Sequence, residues 1–113
     1  MEEIIRNLIN MENTFIGEAS VDIDNCQWIT HESGIVDNHF EGDTYDKPEY
    51  RIYVRNTSNK LARSIINDIY HKLQNYVGAN YVILIDRLPY YRNRDVQYRS
   101  IYALKIEIQL GGY

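Results

Sequence analysis

YRIYVRNTSNKLARSIINDIYHKLQNYVG, residues 50–78, holds the two elements on which the fold turns. In its first part Tyr50, Ile52 and Val54 alternate with Arg51, Tyr53 and Arg55, the period-two pattern of a strand with one face covered. Asn56, Thr57 and Ser58 follow, three residues whose short polar side chains suit a helix N-cap. From there Leu61, Ala62, Ile65, Ile66, Ile69, Tyr70, Leu73, Tyr76 and Val77 recur at i, i+3, i+4 spacing, and Gly78 supplies a C-terminal stop. A half-covered strand that runs straight into an amphipathic helix requires the helix to lie on the strand's apolar face.

Working outward, Tyr81 to Ile85 is β-branched and short, as a buried strand would be, and Leu88-Pro89 breaks it. Residues 90–96 read as a polar excursion. Then Tyr98, Ser100, Tyr102, Leu104, Ile106, Ile108 and Leu110 alternate with Arg99, Ile101, Ala103, Lys105, Glu107 and Gln109, a long amphipathic strand whose second face needs water or a partner. Upstream, Glu2 to about Met11 carries a helical stripe of Ile4, Ile5, Leu8, Ile9 and Met11. Phe15 to Gly17 mark a turn, Val21 and Ile23 alternate with Asp22 and Asp24, and Cys26 to His31 read as a strand. ESGIVDNHFEGDTYDKP, residues 32–48, shows neither period and is expected to be a long exposed loop. The expectation is therefore one α+β domain over residues 1–113. It has an antiparallel or mixed sheet of about four strands, with an N-terminal helix and a long central helix packed on one face. The central helix should cover Ile52, Val54, Leu104, Ile106 and Ile108.

Charge is laid out very unevenly. Residues 1–49 carry twelve acidic side chains against two basic ones, a formal −10, whereas residues 50–113 carry ten basic against four acidic, +6. These halves either pair within one fold or meet across copies, an acidic face of one against a basic face of the next. Eleven of the fourteen aromatic residues are tyrosine, whose ring and hydroxyl suit half-buried sheets and subunit interfaces. No apolar run is long enough for a membrane span. The acidic start, MEEIIRNLINM, lacks the basic opening of a secretory signal, so a cytosolic protein is expected. A net charge of −4 argues against a nucleic-acid binder.

Catalytic motifs are hard to find. Cys26 is the single cysteine, which excludes an internal disulfide and a thiolate zinc site, and its strand context suits a small core group better than a nucleophile. There is no G-x-S-x-G, H-E-x-x-H, EF-hand order or phosphate-cradling glycine loop. His31 and His39 flank the acidic stretch with Glu32, Asp37, Glu41 and Asp43, a donor set that could hold a divalent ion. A small metal-dependent hydrolase using His31 and His39 is thus the alternative of a different class, and a solvated acidic loop the plainer explanation. Tyr90, Tyr91, Arg92 and Arg94 form an aromatic–arginine cluster of the kind enriched at interfaces. It serves a partner or folds back over the sheet edge.

DNCQWITHESG, YRIYVRNTSNKLARSIINDIYHKL and RLPYYRNRDVQYRSIYALKIEIQ together resemble the small minor capsid proteins of phages and prophages of Gram-positive bacteria, which are similar to phage tail terminator (tail completion) proteins. The likeness rests on Val54, Arg55 and Asn56 running into a helix that carries Ala62, Ile66, Ile69, Tyr70 and Leu73. After a Leu-Pro excursion comes an alternating terminal strand. It covers about residues 24–110, and departs from the family at the acidic stretch 36–46, where relatives carry a plainer glycine-rich turn. The resemblance implies a structural protein without catalysis or cofactor. Such a protein forms a homo-oligomeric, hexameric ring that caps the head-proximal end of the tail tube. Its partners would be the tail tube protein on one side and a head connector, sheath or collar protein on the other, with DNA passing only through the lumen. Its place would be the bacterial host cytoplasm during assembly and then the virion or a tail-like particle. A head-completion or head–tail connector protein is the alternative within the same class. Joined to the charge pattern, the resemblance predicts an interface in which Arg87, Arg92, Arg94 and Arg99, with Tyr90 and Tyr91, meet Asp37, Glu41, Asp43 and Asp46 of the adjacent copy.

Overall fold

The structure, a computed structural model, describes residues 1–38 and 44–110. The alternating 50–55 segment lies within β3 (Thr44–Asn56) and the periodic segment becomes α2 (Asn59–Leu73). Ser58 is the cap among the three candidates: its Oγ accepts from the Leu61 N–H at 3.2 Å, while Asn56 Oδ1 accepts from the Ser58 N–H at 2.9 Å. Each such bond satisfies a backbone donor that the first helical turn leaves without a partner. The helix ends five residues before the expected glycine. Asn75 takes a left-handed conformation at φ 57°, and Tyr76 and Val77 turn into a small hairpin in which the Ile83 N–H donates to Tyr76 O at 2.9 Å. Gly78 serves that hairpin instead of the helix, since a Cβ there would collide with the Tyr81 ring.

The sheet holds six strands, two more than expected. Their order is β1 (Thr14–Ile16), β2 (Cys26–Asn38), β3 and β6 (Ser100–Leu110). The far edge of β6 is shared end to end by β4 (Tyr81–Leu84) and β5 (Tyr90–Arg94). All pairings are antiparallel except β1 with β2. Two of the additions are short: β1 replaces the expected turn at Phe15, and β5 replaces the polar excursion. A strand of three residues, or one exposed along its whole length like β5, leaves no alternation in the sequence. Val21 to Asp24, in contrast, form no strand and belong to the loop that leads into β2.

The largest correction concerns residues 32–48. β2 and β3 stay paired far beyond the body of the sheet, in register from Cys26↔Arg55 to Asn38↔Thr44, with a shift between Glu32 and Ile35. Pro48 lies opposite that shift, where its missing N–H deprives no ladder position. β6 pairs with β3 only from Glu49 onward, so the outer half of the hairpin is a two-stranded arm. An arm with no third strand has no face that must be apolar, which is why the sequence shows no period there.

On one face, Ile52, Val54, Tyr102, Leu104, Ile106 and Ile108 meet Ala62, Ile66, Ile69 and Leu73 of α2, as expected. α1 (Glu2–Ile9) closes the same core with Ile5 and Ile9. It ends on Asn10 at φ 51°, and Lys72 Nζ donates to Ile9 O at 2.7 Å, placing a cation at the negative end of the helix.

Candidate functional site: the outer face of the sheet

The opposite face is made by the alternate positions of the same strands. Cys26, Trp28, Tyr53, Ile101 and Ala103 form a second, smaller cluster there, with Trp28 stacked on Tyr53 at 5.1 Å. No helix covers it. The segment 18–25 does so as a loop, burying Ala19 and packing Ile23 against the cluster.

A loop brings backbone carbonyls where a helix would bring side chains, and buried carbonyls need donors. Two arginines supply them. Arg55, 4% exposed, lies over the Trp28 ring and donates to Ser20 O and Ile23 O. Arg99, 2% exposed, donates to Val21 O at 2.7 Å and to Ile23 O at 3.1 Å. The second guanidinium is neutralised by Asp95 at 2.8 Å and approached by Asp24 at 3.5 Å. Asp95 Oδ1 also accepts from the backbone N–H groups of Gln97 and Arg99, each at 3.0 Å. Burial works against the Asp95 charge, but these N–H groups and the Arg99 guanidinium outweigh it and hold the carboxyl below its ordinary range.

These contacts decide the fate of the expected interface residues. Arg99, expected in the intersubunit pair, is 2% exposed and bonds within its own chain. A guanidinium on the polar side of an alternating segment gives no sign in sequence that a distant loop will use it. Arg92 lies over the Tyr53 ring at 5.1 Å, a cation–π contact, while remaining exposed. Arg87 and Arg94 are exposed and make no ion pair among the described residues. Tyr90 and Tyr91 leave β5 on opposite faces. Tyr91 meets the Tyr102 ring edge-on at 5.4 Å, and Tyr90 turns to the outer face. Asp37 and Asp46 lie on the strands of the arm, in register with Tyr45 and Val36. Glu41, Asp43 and His39 fall outside the described residues.

Further along the outer face the charges run in rows across the strands. Arg51 stands opposite Lys105, and Glu49 opposite both Glu32 and Glu107. Like charges directly opposite repel, and the diagonal pairs relieve this: Arg51 Nη2 to Glu32 at 3.2 Å and Lys105 Nζ to Glu49 at 3.3 Å. Arg51 and Lys105 join Arg87, Asp86 and Tyr90 around an open depression of about 300 Å³. Sequence reasoning did not single out Arg51, and Lys105 entered it only within the second face of the last strand, which needs water or a partner. The register sets the two side by side.

Cys26 is fully buried, and burial pushes its thiol above the ordinary value although Arg55 and Arg99 pull the other way. It is a core group in this fold, not an activated nucleophile. His31 is exposed with its ring edge-on to Tyr50 at 5.0 Å. Among the described residues no three His, Cys, Asp or Glu side chains converge as metal ligands, and no helix is long and apolar enough to cross a membrane. Compared with known proteins, the chain matches no family model, and a search of curated proteins returns no match.

Proposed function

We propose that this protein is a virion assembly protein of the tail-terminator kind, whose copies close into a homo-oligomeric ring on the head-proximal end of a phage tail tube. The observation that carries the proposal is the division of β3. Residues 49–56 are built into the sheet between β2 and β6, whereas residues 44–47 pair with β2 alone, which sets Asp37 and Asp46 on a two-stranded arm. β5, with its exposed arginines, lies beside the other end of the same strand, since its partners on β6 pair with Tyr53 to Asn56. Twelve residues of strand at ~3.3 Å each put about 40 Å between Thr44 and Asn56. Opposite charges that far apart on one copy suit a head-to-tail contact between different surfaces, the type that closes rings. The sequence resemblance supports the same function, and the outer face and arm supply surface for a tail tube on one side and a connector on the other.

Native mass spectrometry across concentration, at low and moderate salt, tests it. A closed species of fixed size, six copies by the resemblance, that weakens as salt rises is the expected result. Strict monomer at every concentration, both alone and after addition of purified tail tubes, would remove the proposal.

A further inference from the structure

We infer that the depression walled by Arg51, Arg87, Tyr90 and Lys105 is the receptor for a carboxylate from the acidic stretch 37–46 of a second copy. The inference rests on the assembly proposed above and gives its interface a specific lock.

Three observations carry it. The depression holds three cations, and Arg87 among them has no ion pair among the described residues. Arg51 is half used: Nη2 meets Glu32, but Nε is buried with no hydrogen-bond partner. Nε is covered in the single copy, so a carboxylate that enters the depression meets Arg87 first and completes the Arg51 fork only by displacing the groups over Nε. The third observation is reach. Asp46 and Thr44 precede Arg51 on β3 by five and seven residues, so the strand holds that end of the arm roughly 16–23 Å from its own depression. The pairing of Asn38 with Thr44 keeps both strands of the arm extended, so Asp37 and Asp46 are held off their own depression and are free to meet another copy's.

Carboxylate of this chain is favoured over nucleic-acid phosphate. Glu32, Glu49 and Asp86 lie among the three cations, leaving Arg87 without an ion pair among the described residues, and the whole chain is −4. A duplex backbone, with one charge every ~1.7 Å, needs several free cations and would be repelled by that rim. A single side-chain carboxylate needs one free cation, which Arg87 supplies.

Zero-length carbodiimide cross-linking of the full chain tests this, because Lys105 is the amine in the depression. Equal amounts of ¹⁴N- and ¹⁵N-labelled protein are mixed, cross-linked and mapped by mass spectrometry. The link between Lys105 and Glu49, 3.3 Å apart, forms within one copy and reports that the chain is folded and the chemistry has worked. The expected result is a mixed-isotope link from Lys105 to Asp37, Glu41, Asp43 or Asp46. Its yield should fall about tenfold or more in Arg87→Glu and stay unchanged in Arg63→Glu, an exposed arginine on α2. The internal link with no mixed-isotope link overturns the inference, as does an equal loss in both variants, which would mean undirected attraction. A duplex oligonucleotide that binds wild type but not Arg87→Glu, with no mixed link, assigns the depression to nucleic acid and overturns it too. A ring that persists in Arg87→Glu defeats this receptor while leaving the assembly proposal standing.

Discussion

One sheet is covered here in two unlike ways. On the inner face α2 lays Ala62, Ile66, Ile69 and Leu73 over aliphatic positions of β3 and β6, all removed from water. On the outer face an irregular segment, residues 18–25, is held down by Arg55 and Arg99 through its carbonyl oxygens. The difference follows from what each cover can offer. A helix satisfies its own backbone and presents a stripe of side chains, so area removed from water holds it. A loop exposes its backbone, so donors must come from the surface beneath, and arginine brings five in a fixed fork. The first kind of cover is non-directional and tolerant of repacking, the second directional and intolerant of losing one partner.

Breaking the inner cover should cost most. Ile69→Ala is expected to destabilise by about 2–5 kcal/mol, the range for emptying a packed aliphatic site, and to lower the urea midpoint without changing the slope. Replacing Arg99 by methionine keeps bulk but strands the Val21 carbonyl together with Asp95, and leaves Ile23 O to Arg55 alone. A loss of about 1.5–3 kcal/mol is expected, with hydrogen exchange rising first in residues 18–25 while α2 stays protected. If exchange instead rose equally in α2, the two covers would be one cooperative unit and the contrast drawn above would fail.

The smallest effect sharpens the comparison by pH. Asp95 has its pKa lowered in the folded state, so its contribution is fully present above the unfolded carboxylate value and is lost as pH falls through the folded one. Asp95→Asn should therefore be about 1 kcal/mol less stable than wild type at pH 7, and the two stability curves should converge in acid below 3.8. No comparable convergence is expected for Ile69→Ala, whose site holds no titrating group. A constant offset between Asp95→Asn and wild type down to pH 2 would show that the carboxylate charge is not what holds Arg99.

The inner half of this architecture was legible in the sequence because burial writes a period. Ile52, Val54 and the 104–108 alternation gave the strands, and the i, i+3, i+4 spacing gave α2. The rest was hidden for physical reasons. The arm has no buried face to impose alternation, so residues 32–48 looked like a loop. β5 is exposed throughout and β1 has three residues, too few for any pattern. Arg55 and Arg99 read as the polar side of amphipathic strands, since nothing local announces that carbonyls from residues 20–23 will sit on them. For the candidate interface, Arg87, Tyr90, Arg92 and Arg94 were visible as a cluster of residue types. The cross-strand meeting of Arg51 with Lys105 needed the register, which no single stretch of sequence specifies.

The position of β6 has a kinetic side. It follows every other described element in the chain, yet it stands inside the sheet, bonded to β3 on one edge and to β4 and β5 on the other. Val54 pairs with Tyr102 and Tyr50 with Ile106, closures of about fifty residues, whereas the β2–β3 hairpin closes locally. Loop entropy must be met before those distant pairs return anything, so the hairpin and α2 can form early while the aliphatic face waits uncovered for its last strand. The β3–β6 ladder is therefore the entropically costliest closure in this topology, and until it forms Ile52 and Val54 lack the strand that borders them.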